Sequence, residues 1–138
     1  MFNDVSRVNV GPISVEGRYN RTGGGPTVSI YEGFREWARI DLHPKGPKSP
    51  QGHHYHTNPY LDPSAVATIW KVGGVETPEG LLVHLLEVKK VRGLAVQAGE
   101  VDVVDYLDYM GDSEVKARIY RMVEEIYRVE GRAKLISF

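Results

Sequence analysis

The sequence predicts an α+β fold, with an N-terminal antiparallel β-sheet of about five short strands followed by three or four packed α-helices. Up to residue 60, segments rich in Val, Ile, Tyr and Thr alternate with Gly, Pro and Asn, which is typical of strands joined by turns. Beyond residue 60, prolines after capping residues and apolar spacings of three and four are typical of helices. The length of 138 residues suits a single domain over residues 1–138, with a β-rich half to residue 60 and a helical half over 61–138.

The strands of the first half are predicted from alternating apolar residues and from the turn residues between segments. The second and third strands are separated by Gly23, Gly24, Gly25 and Pro26. This run lacks the Lys-Ser/Thr that follows a phosphate-binding loop, so we interpret it as a flexible hairpin connection. The predicted strands cover residues 5–10, 13–19, 27–32, 36–43 and 53–58.

The helices of the second half are predicted from capping signals and apolar periodicity. Thr77 before Pro78 is a typical helix start, as is Asp62 before Pro63. The predicted helices cover residues 63–72, 78–92, 100–110 and 113–130, and residues 135–138 are a candidate edge strand. The last helix is the clearest, because its apolar residues form a single stripe. The stripe consists of Val115, Ile119, Met122, Val123, Ile126 and Val129.

The composition excludes several classes of protein. The chain has no cysteine, which excludes disulfides and thiolate metal sites. No apolar run approaches the length of a membrane span, so we expect a soluble, cytoplasmic protein with no membrane partner. A net charge of -1 is unlike proteins that wrap nucleic acid by bulk attraction. The acidic run over residues 100–114 is expected to be a solvated helix face.

Histidine is the residue type that locates a candidate site. Imidazole has an ordinary pKa near neutrality, so a cluster of histidines favours proton transfer or metal binding. Four of the five histidines lie within residues 43–56. They are His43, His53, His54 and His56.

The predicted strand over residues 36–43 places several polar side chains on one face, because side chains alternate along a strand. An antiparallel partner strand brings either His54 and His56 or His53 and Tyr55 to that face, according to register. Both registers concentrate imidazole, carboxylate and guanidinium groups on one patch. The residues that share the face of the first strand are Trp37, Arg39, Asp41 and His43.

We interpret this patch first as the site of a metal-independent ribonuclease that needs no cofactor. His43 and either His54 or His56 would be the general base and general acid that cleave a phosphodiester. Asp41 would orient an imidazole, and Arg39 would stabilise the charge on the phosphorane. RNA is therefore the expected partner, and a protein inhibitor or other protein partner is a second candidate. Further predicted substrate contacts are the base-stacking residues Trp37 and Tyr55, together with His53, Lys45 and Lys48.

Two alternatives remain open from the residues themselves. Histidines at i and i+2 on a strand can share one ion, so a divalent metal at His43, His54 and His56 would make the protein a metal-dependent enzyme. Asp41 or His84 could complete the site in place of His43. A cupin-like site is one version, although the glutamate expected after the histidine pair is absent from residues 57–67. The other alternative is a non-catalytic binding module whose acidic helical half docks a partner with a basic surface.

The run Trp37-Ala-Arg-Ile-Asp-Leu-His-Pro44, followed by Gly52-His-His-Tyr-His56, resembles the catalytic core of a family of bacterial toxin domains. These are the C-terminal nuclease domains of polymorphic and contact-dependent toxin systems, of the barnase, EndoU, colicin E5 and RelE type. The resemblance covers residues 35–58 only, and the helical half departs from the family's pattern. It implies that the active-site positions are Arg39, Asp41, His43, His54 and His56.

Overall fold

A computed structural model describes residues 6–57, 70–87 and 113–130 of the chain. Five strands in these residues form one antiparallel sheet, and each strand pairs with the next in sequence. The predicted sheet is confirmed, with every strand end within two residues of its predicted position. The strands are β1 Ser6–Val10, β2 Ile13–Asn20, β3 Gly25–Glu32, β4 Arg35–Asp41 and β5 His54–Thr57. The helices in the same residues are α1 Pro78–Leu85 and α2 Ser113–Val129.

The sheet has an apolar face and a polar face, because side chains alternate along each strand. Val28 and Ile40 lie opposite each other on the apolar face, and both are fully buried. Helix α2 packs on this face over Gly17, where a β-carbon would come within 2.9 Å of Ile126 Cδ1 and 3.0 Å of Met122 Cε. The polar face therefore lies on the side of the sheet away from α2.

The apolar stripe predicted for α2 is confirmed over most of its length. Ile119, Met122, Val123 and Ile126 are all buried, whereas Val129 near the end of the helix is 69% exposed. Tyr127 joins the buried face instead, and its hydroxyl donates a hydrogen bond to the carbonyl oxygen of Leu42 at 3.3 Å. Packing against the sheet therefore selects a slightly different set of residues from the one that periodicity alone suggests.

The prediction of three or four helices is wrong, since the part of the chain described here contains two. The helix predicted over 63–72 cannot extend to its predicted end. Trp70 instead forms an antiparallel bridge with Tyr55, with backbone N–H···O distances of 2.9 and 3.0 Å in the two directions. The backbone N–H and carbonyl groups of Trp70 are thus unavailable for the hydrogen bonds of a helix. Residues 63–69, the helix predicted over 100–110 and the strand predicted over 135–138 lie outside the described residues.

Helix α1 begins where the sequence predicts and ends earlier. Thr77 is its N-cap, and the Thr77 hydroxyl accepts a hydrogen bond from the backbone N–H of Gly80 at 3.1 Å. The helix ends at Leu85, within the helix predicted over 78–92. In residues 6–57, 70–87 and 113–130, no helix is both long enough and apolar enough to cross a membrane.

Candidate metal centre

The register of the sheet brings a carboxylate and two imidazoles together on the polar face. Asp41 of β4 lies opposite Thr27 of β3 and opposite His54 of β5, and Arg39 lies opposite His56. Directly opposed residues on antiparallel strands share one face of the sheet. Of the two registers that the sequence allows, the structure therefore has the one that places His54 and His56 beside Asp41.

Asp41 is the centre of this cluster. Its Oδ2 atom lies 3.0 Å from Nε2 of His54 and 3.0 Å from Nε2 of His56. Its Oδ1 atom accepts a hydrogen bond from the Thr27 hydroxyl at 2.8 Å and lies 3.6 Å from Nε2 of His43. The four ionisable residues of the cluster are buried, with exposed fractions between 4% and 7% of each residue. They are Asp41, His43, His54 and His56.

Asp41, His54 and His56 lie close enough to hold one metal ion. One donor atom from each residue lies within 4.8 Å of the donor atoms of the other two. Of the three residues that the sequence offered to complete the ligand set, Asp41 lies with the histidine pair, whereas His43 lies at the side of the cluster. Its Nε2 atom is 3.4 Å from the Thr27 hydroxyl. Two strands thus supply the three central donors, and the segment after β4 supplies a further imidazole.

His54 has a defined hydrogen-bonding arrangement. Its Nδ1 atom lies 2.7 Å from the carbonyl oxygen of Gly52, and a carbonyl oxygen only accepts, so Nδ1 carries a hydrogen. Its Nε2 atom faces the carboxylate of Asp41, which also only accepts when it is ionised. A neutral His54 would therefore direct its lone pair at a negative charge. The contact between Nε2 and Asp41 is favourable when a hydrogen or a metal ion lies between the two atoms.

The charge states of Asp41 and His43 follow from burial and from their neighbours. Burial alone would raise the pKa of the Asp41 carboxyl, but hydrogen bonds from His54 and His56, with the charge of His43, hold this pKa well below its ordinary value. Burial lowers the pKa of the His43 imidazole, and the attraction of Asp41 opposes that effect only in part. At neutral pH the cluster therefore contains an ionised Asp41 and a neutral His43.

The glycine turn between β2 and β3 belongs to this site, which the sequence analysis did not anticipate. A β-carbon at Gly23 would lie 2.2 Å from both Cε1 and Nδ1 of His43. The turn is closed by Asn20, whose side-chain oxygen accepts from the Gly23 N–H at 3.1 Å and whose carbonyl accepts from the Gly24 N–H at 2.8 Å. The absence of a side chain at Gly23 therefore allows the His43 ring to lie beside Thr27 and Asp41.

We expect Gly23→Ala to displace the His43 ring and to lower the free energy of unfolding by about 1–3 kcal/mol, because extra volume in a well-packed site forces its neighbours to shift. Urea denaturation in the presence of a chelator measures the change. Gly46→Ala is the matched control, since a β-carbon at Gly46 meets nothing within 4 Å. Equal stability of Gly23→Ala and Gly46→Ala would show that the turn does not constrain His43.

Several predicted substrate contacts have other partners in the structure. Arg39 forms a two-point ion pair with Glu36, in which its Nε donates to Oε2 at 3.1 Å and its Nη2 contacts Oε1. The Trp37 side chain is fully buried in the hydrophobic core, so no face of its ring is exposed to a base. Tyr55 lies on the apolar side of β5, where it is partly buried against the core.

The predicted contacts His53, Lys45 and Lys48 lie around the cluster without joining it. His53 directs Nε2 to the carbonyl oxygen of Val75 at 2.8 Å. Lys45 lines an open cleft beside Gly52. Lys48 lies against the glycine turn, with its Cδ atom 3.3 Å from the position of a β-carbon at Gly24.

Comparison with known proteins returns no matching family model, no matching curated protein and no matching solved structure.

Proposed function

We propose that Asp41, His54 and His56 bind one divalent metal ion and that the protein is a metal-dependent enzyme. The hydrogen bonding of His54 carries this proposal. Its Nδ1–H donates to the Gly52 carbonyl at 2.7 Å while its Nε2 faces Asp41. Metal-binding histidines commonly donate their second ring N–H to a carbonyl or carboxylate, which fixes the tautomer and aims the other nitrogen at the ion.

The distances within the cluster fit a shared ion as well as they fit hydrogen bonds. Two donor atoms that each lie about 2.1 Å from one ion are about 3.0 Å apart when they subtend an angle of about 90°. The Asp41 Oδ2 atom is 3.0 Å from Nε2 of each histidine. One carboxylate with two imidazoles is a donor set that zinc and iron(II) accept in proteins.

Asp41, His54 and His56 would hold the ion, and an ion of this kind would supply Lewis-acid chemistry near neutral pH. The proton acceptor beside these ligands would be His43. Its pKa is lowered by burial, so the imidazole is neutral, and its Nε2 atom lies 3.6 Å from the Asp41 carboxylate. His43 would then be the general base of the site, and Thr27 would hold Asp41 in place.

The proposal is tested by measuring the metal content of the purified protein. We expect about one equivalent of zinc, iron or another first-row transition metal per chain, removed by a chelator and restored on adding that ion. The free energy of unfolding should rise when the ion is restored, by about 2.7 kcal/mol when its free concentration is 100 times the Kd. A protein that binds no transition metal at micromolar concentration would overturn the proposal.

Metal-independent RNA cleavage is a second candidate, and one observation favours it. With a hydrogen on Nε2 as well as on Nδ1, His54 would be the acid, while the lowered pKa of His43, caused by burial, makes His43 a base. Their ring centroids are 5.9 Å apart. Against it, Nε2 of His54 and Nε2 of His56 each lie 3.0 Å from the same Asp41 oxygen, so these two imidazoles converge on one point and do not flank a phosphate-sized gap. RNA cleavage that survives chelation would favour this candidate over the metal-dependent enzyme.

A further inference from the structure

A cleft of about 310 Å³ lies beside the candidate metal centre, and none of the three proposed ligands lines it. One wall comes from the segment between β4 and β5, where Lys45, Gly52 and His53 face the cleft. The other wall comes from the segment between Trp70 and α1, which contributes Lys71 and Val75. The cleft is thus formed by two parts of the chain that are distant in sequence.

Hydrogen bonds fasten the two walls to each other. His53 Nε2 donates to the Val75 carbonyl at 2.8 Å, and the Lys71 ammonium donates to the carbonyl of Gln51. The backbone bridge between Tyr55 and Trp70 continues the sheet next to these contacts. The cleft is therefore held open by the fold, as expected of a preformed binding site.

The charge in the cleft is positive. Lys45 and Lys71 come from the two different segments that line the cleft, and Glu76 is the one carboxylate among the lining residues. Lys45 packs its Cβ atom 3.1 Å from the position of a β-carbon at Gly52. In the part of the chain that the structure describes, no carboxylate forms an ion pair with Lys45 or Lys71.

We propose that this cleft binds a small phosphate ester. Two lysines in the lining suit a doubly charged phosphate, because ammonium groups donate hydrogen bonds to phosphate oxygens. The Lys71 ammonium donates one hydrogen bond to the Gln51 carbonyl and keeps two further N–H donors. The lining also contains apolar residues of both segments, Pro44, Val72 and Val75, which suit the organic part of an ester. Gly52 joins the two sites, since it lines the cleft and its carbonyl oxygen accepts the hydrogen bond from His54. Binding in the cleft does not require an ion at the metal centre.

The test uses the full chain in the presence of a chelator, so that a failure of the metal proposal leaves the result unaffected. Inorganic phosphate and phenyl phosphate are titrated into wild type and into Lys45→Ala/Lys71→Ala, with binding followed by calorimetry. We expect saturable binding to wild type, tighter for phenyl phosphate, and a loss of about 10-fold or more in the double variant. Lys116→Ala/Arg118→Ala removes the same two positive charges from α2, outside the cleft, and should bind as wild type does.

Two results would overturn the proposal. One is the absence of saturable binding of either phosphate by wild type at millimolar concentration. The other is the same affinity in wild type and in Lys45→Ala/Lys71→Ala, or an equal loss of affinity in Lys116→Ala/Arg118→Ala, since either would assign any binding to overall charge. Circular dichroism of each variant verifies that weaker binding does not reflect unfolding. The same check applies to Lys45→Glu, a further single substitution.

Discussion

Replacing His54 with alanine should abolish the stoichiometric metal binding that we propose for the wild-type chain. The change removes one of three central donors, and with it the Nδ1–H bond to Gly52 that fixes the orientation of the ring. Loss of an outer hydrogen-bond partner alone typically lowers metal affinity 10- to 100-fold, so the loss of a ligand should cost at least about 100-fold. Titration of the chelator-treated protein with Zn²⁺ or Co²⁺ measures the effect directly.

His84→Ala is the matched control for this substitution. It makes the same chemical change on α1, where His84 is partly exposed and takes no part in the cluster. We expect it to bind the ion as wild type does and to be stabilised by the ion to the same extent. His54→Ala should gain no stability from the ion. If His54→Ala retained wild-type affinity, the cluster would be a hydrogen-bonded network and not a metal site.

Asp41→Asn distinguishes the charge of the cluster from its shape. Asparagine has the size of aspartate but no negative charge, so the imidazoles lose the neighbouring carboxylate charge. Removing one partner of a buried ionic network typically costs about 3–5 kcal/mol of stability. We expect Asp41→Asn to lose metal binding as His54→Ala does, and also to unfold more readily than wild type in the presence of a chelator.

The sheet could be predicted from the sequence because its signals are local. Apolar alternation locates each strand, and Gly11, Gly24 and Gly33 in the turns have positive φ angles, which favour glycine. Local patterns also place Asp41 and the histidines on adjacent strands. They do not determine which residues of β4 and β5 face each other, since that register depends on a long connection and on packing across the sheet.

The helical half was less predictable for a similar reason. A cap such as Thr77 before Pro78 acts locally, and it marks the start of α1 correctly. Local signals also predict a helix over residues 63–72, but the backbone of Trp70 pairs with that of Tyr55 in the sheet. Such long-range pairing overrides a local preference. The packing of Gly23 against His43 is likewise a tertiary contact, for which a run of glycines is the only signal in the sequence.

Trp37 illustrates how one extra residue changes the assignment of a side chain. Strict alternation groups it with Arg39 on the polar face. In the structure, Ile30 pairs with Ala38 and Tyr31 pairs with Glu36, so Trp37 is an additional residue in β4. A bulge of this kind interrupts alternation. The indole is fully buried in the core, and its Nε1–H has no hydrogen-bond partner among the described residues.

Trp37→Ala should therefore destabilise the fold by about 3–5 kcal/mol, the cost typical of removing a large aromatic side chain from a core. Chemical denaturation of wild type and variant measures the difference. Trp37→Phe is the control, because it keeps an aromatic ring and loses no hydrogen bond from Nε1. Its cost should be less than half that of alanine. If Trp37 instead stacked on a base, Trp37→Ala would weaken RNA binding and leave the free energy of unfolding unchanged, which its complete burial argues against.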